Sequence, residues 1–447
     1  MRSRVLLVVL VLFVTASFAQ PNALPLLNQP LIPDCVAPGS PQFTLTVNGT
    51  GFVSGAVLKW NGSARTTQVI SNSQVQATIN AADVANAQTA RVTVTNPSGG
   101  TSSPVYFPVR NSSTTVQFKF LENKIPHGGL MVVGDFNNDG KPDVVIGNIN
   151  ARNKLATEQV YLGKGDGSFK APINTGPFKY GASPRLIGDF NGDGKPDLLM
   201  LNSQHNAFVL LGQGNGKFTA KPVFGVGGGK YMATADFNGD GKLDLVFVFN
   251  QRTGGGEFDI YFGKGDGTFQ LAFAGGITFS GSNPAIGDFN GDGKLDLAIP
   301  DGPNNIGVWL GNGDGTFQGE VLYHTTNGAG FEVITADFNG DGKLDLITAG
   351  GDVFLGNGDG TFKDVGVLPG GGMQSASNPS LFVGDFNGDG KLDLIDGGLY
   401  LGNGDGTFQN PINVGGIVGD FNGDGKLDLV SLGSISGHSA ISVALQK

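Results

Sequence analysis

Seven nine-residue stretches of this chain carry oxygen-bearing side chains at positions one, three, five and nine, always with glycine at position six. The first copy offers Asp135, Asn137, Asp139 and Asp143, with the main-chain carbonyl of Lys141 between the last two. The second has Asp189, Asn191, Asp193, Lys195 and Asp197, and the third Asp236, Asn238, Asp240, Lys242 and Asp244. The fourth has Asp288, Asn290, Asp292, Lys294 and Asp296, and the fifth Asp337, Asn339, Asp341, Lys343 and Asp345. Asp385, Asn387, Asp389, Lys391 and Asp393 make the sixth, and Asp420, Asn422, Asp424, Lys426 and Asp428 the seventh. A hard cation such as Ca²⁺ takes six to eight oxygens, and glycine takes the positive φ of a tight bend at little cost. The spacing therefore predicts up to seven Ca²⁺ sites, each lysine giving only its carbonyl and turning its side chain outward. Without an ion, three carboxylates held close together would repel one another.

An EF-hand shares the first half of this pattern but needs a bidentate Glu at position twelve and flanking helices. Position twelve here is Ile146, Met200, Phe247, Ile299, Thr348, Asp396 or Ser431, never Glu. The flanks, such as 130–133 and 144–146, are β-rich. Each loop is thus expected to join two strands.

The elements that would position these loops repeat with them. Between loops recurs a second stretch, Leu-Gly-Asn-Gly-Asp-Gly-Thr-Phe or a variant, beginning at Leu162, Leu211, Phe262, Leu310, Leu355 and Leu401. Its alternating Gly and Asn/Asp favour tight hairpins. Four short strands per unit, repeated radially, predict an all-β, seven-bladed β-propeller over 114–447. The last unit lacks a fourth strand, while 115–120 is a strand with no loop before it. Pairing the two would close the ring and remove both edges.

Ahead of the repeats, 31–110 reads as period-two strands and turns, a small β-sandwich with Trp60 in its core. Residues 20–30 read as a linker. Residues 1–19, with Arg2, Arg4, an apolar run and Ala16-Ser-Phe-Ala19, read as a secretory signal peptide cut after Ala19. No later segment is long and apolar enough to cross a membrane as a helix. Cys35, the single cysteine, excludes an intrachain disulfide and reads as an inert thiol. The formal charge of −10 becomes −12 without the leader's two arginines, and seven Ca²⁺ would bring it to about +2. The acidity thus belongs to the loops, and no basic stripe suggests nucleic acid.

The repeats resemble FG-GAP/VCBS repeats, the blade type of integrin α-subunits, with Phe262-Gly263 and Lys170-Ala-Pro172 echoing the motif. That resemblance implies Ca²⁺ ligation by positions one, three, five and nine. The first copy departs from the others with Asn138 where they have Gly. Residues 47–52, 58–62 and 92–97 make the sandwich similar to an IPT/TIG domain, an immunoglobulin-like spacer or interaction module.

Catalytic constellations are sparse. The four histidines show no metal-ligand spacing, and 225–230 departs from a P-loop in both spacing and its following Tyr231. The leading expectation is a secreted, non-enzymatic, calcium-binding adhesion or binding protein with an extracellular protein or glycan ligand. The alternative is a carbohydrate-active enzyme, a polysaccharide lyase or hydrolase, using the propeller face. Ligand contacts are expected where units differ, at 148–158, 202–206, 225–231, 250–257 and 301–305. Arg152, His205, Tyr231 and Arg252 are the candidates.

Overall fold

The computed structural model describes residues 24–447 except 29, 98–99, 103, 112, 114–115, 125–129, 151–154, 180–181, 203, 227–230, 251–254, 278–281, 373–380 and 436–437. The leader segment, Arg152 and Arg252 lie outside the described residues. Among them the chain is almost wholly β, with one short 3₁₀ turn at Ala81–Val84.

Two four-stranded antiparallel sheets form the N-terminal part. One runs Leu26–Leu27, Phe43–Thr50, Gln74–Ile79, Thr67–Ser71 in spatial order, the other Ser63–Ala64, Val57–Trp60, Gln88–Thr95, Val105–Val109. Their alternating inward residues share one core, including Leu45, Val75, Leu58, Val92 and Phe107. Trp60 is 2% exposed and packs on Phe107 at 5.2 Å, as the sequence predicts.

Seven further sheets follow, each opening with a strand that runs into an Asp-rich loop. The third is representative: Tyr231–Ala235, Asp244–Asn250, Gly256–Gly263 and Phe269–Ile277, in that order. After their opening Asp, second strands begin with consecutive apolar residues, because both faces are buried there. Successive residues feed opposite interfaces: Val144 and Ile146 pack against the seventh sheet, and Val145 against the second. The same sharing links second to third, third to fourth, fourth to fifth, fifth to sixth and sixth to seventh. Since the seventh packs on the first, through Val430, Ile441 and Val443, the series of shared cores returns to its start.

Three sheets depart from the repeat, the second by gaining a fifth, two-residue strand, Phe224–Gly225, paired with Asn206–Gly212. The seventh takes its outer strand from Phe118–Lys124, which pairs antiparallel with His438–Gln446. This lies slightly C-terminal to the 115–120 segment expected for that role. The sixth has three strands, not the four expected, because its third is only Leu399–Tyr400 and the fourth shrinks to a bridge between Leu399 and Ile412. The seventh loop begins only 35 residues after the sixth, which leaves little chain for a full fourth strand.

The N-terminal part rests on the face carrying the Asp-rich loops. Leu24 N–H donates to Asp236 Oδ2 at 2.8 Å. A Cβ on the position-six glycine would meet Asn72 in the fourth loop, Asp34 in the sixth and Gln88 in the seventh, but nothing within 4 Å in the first, second and fifth. Leu26–Asn28 help enclose a cavity of ≈ 250 Å³ with Ile286, Ile334 and Phe382 of the inner strands.

Candidate metal loops

Each loop is wired by the same main-chain hydrogen bonds. In the second, Asp189 Oδ1 accepts from Asp193 N–H at 3.0 Å and Oδ2 from Gly194 N–H at 2.7 Å, while Asn191 Oδ1 also accepts from Asp193 N–H. The third and fourth loops repeat these contacts. Position six is left-handed throughout, from φ 78° at Gly194 to 87° at Gly390. Position four is left-handed too, and Asn138 takes φ 57° where the other copies use glycine. Asn tolerates that region better than other side chains, so the first copy's departure leaves the loop shape intact.

The ninth-position aspartates do more than the sequence reading gave them. All seven are 0% exposed. Oδ2 accepts from the N–H of the loop's second residue, a Phe in every copy, at 2.7–3.0 Å. Oδ1 accepts from a glycine at the end of the third strand or two residues past it in six copies, for example Gly311 at 2.8 Å, and from Gln446 in the seventh. Glycine is required there, since a Cβ on Gly311 would sit 2.1 Å from the Leu295 carbonyl oxygen. Burial pushes Asp143, Asp197, Asp296, Asp345 and Asp428 up to about 7, and Asp244 and Asp393 up to about 8. The carboxylates at positions one and five push in the same direction, against the backbone donors.

This donor set fits a hard divalent cation: oxygens only, three of them carboxylates, bent around two left-handed residues. A bound cation would favour the ionised form that burial and the neighbouring carboxylates oppose. The lysines differ from expectation. In the second to fifth loops the side chain folds back, Nζ lying 3.0–3.5 Å from the position-five carboxylate. Its stem lies on the next hairpin's glycine, as Lys294 does on Gly313. These pairs are substantially exposed and worth little in stability.

The second recurring stretch is a partner of the first. Asp266, Asp314, Asp359 and Asp405 each accept from the N–H and hydroxyl of the Thr two residues on, which holds the carboxyl below its ordinary range. The glycine between them reaches the preceding loop: Gly216 N–H donates to Phe136 O at 3.0 Å and Gly315 N–H to Phe237 O at 3.1 Å. The following Phe stands edge-on to the loop's own Phe at six junctions, from Phe289–Phe362 at 5.4 Å to Phe169–Phe421 at 6.3 Å. The two recurring phenylalanines were the sequence signal for this latch.

Of the four ligand-contact candidates, two are described. His205 occupies a hairpin tip at φ 55°, its N–H donated to Asn202 O, which is a turn-forming role. Tyr231 begins an innermost strand, and its field reaches Arg185, whose guanidinium is pushed below its ordinary value chiefly by burial.

The molecule is thus an all-β protein of repeated sheets with a propeller-like plan, each sheet headed by an Asp-rich loop. Residues 135–200, 189–247, 236–299, 288–348 and 349–395 match the FG-GAP-like repeat, and the chain belongs to that family. No curated protein matches the chain. Solved structures similar to it include an auxiliary nutrient binding protein from Bacteroides ovatus, at 11% identity over 96% of this chain and 100% of that one, with a TM-score of 0.35. The Pseudomonas aeruginosa periplasmic gluconolactonase is 12% identical over 69% and 95%, with a TM-score of 0.37. A lectin from Aleuria aurantia, in complex with α-methyl-L-fucoside, is 11% identical over 82% and 98%, with a TM-score of 0.31.

Proposed function

We propose that this chain is a secreted, calcium-stiffened binding protein: a seven-bladed β-propeller with an N-terminal immunoglobulin-like, IPT/TIG-type unit. Up to seven Ca²⁺ sit in the loops, each held by side chains at positions one, three, five and nine and the lysine carbonyl. One observation carries this reading: in every copy a wholly buried aspartate is crowded by two more carboxylates of the same loop. A divalent ion is the economical way to offset that charge. The near-identity of the loops makes them scaffold, and leaves recognition of an extracellular protein or glycan to the unequal connections on the opposite face.

Calcium binding by equilibrium dialysis, paired with thermal melting, tests the scaffold half. Sites of this ligand type are expected at roughly 10⁻⁴ to 10⁻³ M. An ion at a hundred times its Kd stabilises the folded state by about 2.7 kcal/mol per site. Chelation therefore lowers Tm sharply; a melt indifferent to chelator rejects the reading. Asp292→Ala should remove one ion, and unchanged stoichiometry would contradict the assignment. A glycan and matrix-protein array with and without Ca²⁺ tests the ligand half.

One observation favours the enzymatic alternative. Glu320, on the surface, is pushed up to about 7 by burial of its carboxyl and then by Asp301, a 1%-exposed neighbour it hydrogen-bonds. A carboxylic acid protonated near neutrality suits general-acid chemistry. Cleavage of any polysaccharide in a panel, lost in Glu320→Gln, would support it; a panel without turnover removes it.

A further inference from the structure

The sixth loop differs from the other six in what lies over it. An oxygen of Asp34, Sγ of Cys35 and an oxygen of Asp385 lie within 4.8 Å of one another. Asp34 Oδ1 is 3.4 Å from the place a Cβ on Gly390 would occupy, so this carboxylate faces the loop's bend. Its Oδ2 is shut off from solvent and has no hydrogen-bond partner among the described residues. Around it the docking is tight: Cys35 Sγ donates to Gly388 O at 3.4 Å, and Ser113 N–H to Asn387 O at 2.6 Å.

Arg110 supplies a balancing charge without filling the loop. Its guanidinium, 4% exposed, donates to the carbonyls of Asp385 and Phe386 and to Gln446 Oε1, and approaches Asp385 Oδ1 only at 3.4 Å. The extra carboxylate of Asp34 and the extra guanidinium cancel. The added pair therefore leaves the charge of the sixth loop's own three carboxylates unchanged. A buried carboxylate oxygen without a donor is costly unless a positive partner meets it.

We propose that Asp34 gives a further carboxylate oxygen to the cation held by Asp385, Asn387, Asp389 and Asp393, so that this one site fastens the N-terminal unit to the repeats. The inference rests on the Ca²⁺ reading of the loops. Cys35 is a bystander, since a hard cation selects oxygen over sulfur. Linkage then requires that ion binding at this loop and docking of the N-terminal unit strengthen each other by the same factor.

The single cysteine makes the test direct, because Cys35 leaves the loop if the unit undocks. Its labelling rate with a thiol reagent is measured with Ca²⁺ and with chelator, alongside calcium stoichiometry, in the intact chain, Asp34→Asn, Asp34→Ala and Asp189→Ala. Calcium should slow labelling about tenfold or more in the intact chain, as expected of a protected, locally opening site. Both Asp34 variants should lose most of that protection and weaken one site, whereas Asp189→Ala, in an uncovered loop, should lose an ion but keep the protection. If the intact chain binds calcium but labelling ignores it, or if the Asp34 variants behave like the intact chain, the joint site is wrong and the loop reading stands. Equal loss of protection in Asp189→Ala also overturns it. If the intact chain binds no calcium, the loop reading itself falls.

Discussion

Five of the seven junctions between neighbouring sheets share one hydrogen bond, and the junction between the sixth and seventh replaces it with another. At the five, a hairpin glycine N–H donates to the carbonyl of the preceding loop's Phe. The seventh sheet has no such hairpin, because its outer strand comes from 118–124. There the Phe386 carbonyl accepts instead from the Arg110 guanidinium and the Gln446 side-chain amide. Gln446 N–H also replaces the strand-ending glycine on the buried Asp428. What persists across the junctions is the demand of buried polar groups for partners, while the residue that meets it is free to change.

Substitutions that strip one kind of junction and spare the other test this contrast. Arg110→Ala should cost most, roughly 3–5 kcal/mol in urea unfolding, since it takes the cation from buried Asp385 and the donor from the Asp385 carbonyl, while Phe386 O keeps Gln446. A loss below about 1 kcal/mol, the range of surface pairs, would mean the closing junction is held by packing alone. Phe362→Ala, at a regular junction, should cost about 3 kcal/mol by opening a cavity beside Phe289 and Tyr323. An effect no larger than an exposed substitution would deny the aromatic latch.

A pH series sharpens the comparison at the junction of the first two sheets. Glu158 stands there, 0% exposed with neither carboxyl oxygen partnered among the described residues, near Pro184 and Ser183. Burial raises it from 4.5 to about 8. The folded state then holds a proton the unfolded chain releases, so stability is full below 4.5 and falls as pH rises toward about 8. Glu158→Gln should flatten that slope in urea titrations across this range; an unaltered slope would place its origin elsewhere. The smallest effect is expected from Lys242→Ala, under about 1 kcal/mol because its pair with Asp240 is exposed. A larger loss would show that these lysines do more than cover the loop.

The loops, their strands and the repeat were legible because the chemistry is local. Positive-φ glycines, alternating oxygens and doubly apolar second strands are each set within a dozen residues. What escaped depends on distant partners. Nothing near Arg110 in sequence announces Phe386, and Asp34 carries no motif within the 31–110 sandwich until the fold sets it against Gly390. The ninth-position aspartates were recognised by type, yet their structural task needed the third strand's glycine, reached across a hairpin whose length varies from copy to copy. The shortened sixth sheet had its signal in the loop spacing, since the seventh loop starts only 35 residues after the sixth and leaves little chain for a fourth strand.

The seventh sheet also has a consequence for biogenesis. Residues 118–124 leave the ribosome more than three hundred residues before their partner, 438–446. At usual elongation rates that is a wait of about 15–65 s, during which a strand with Phe120 on its surface has an open edge. A nascent chain shielded over that interval, by a chaperone or by its own N-terminal unit, would reach the final pairing intact.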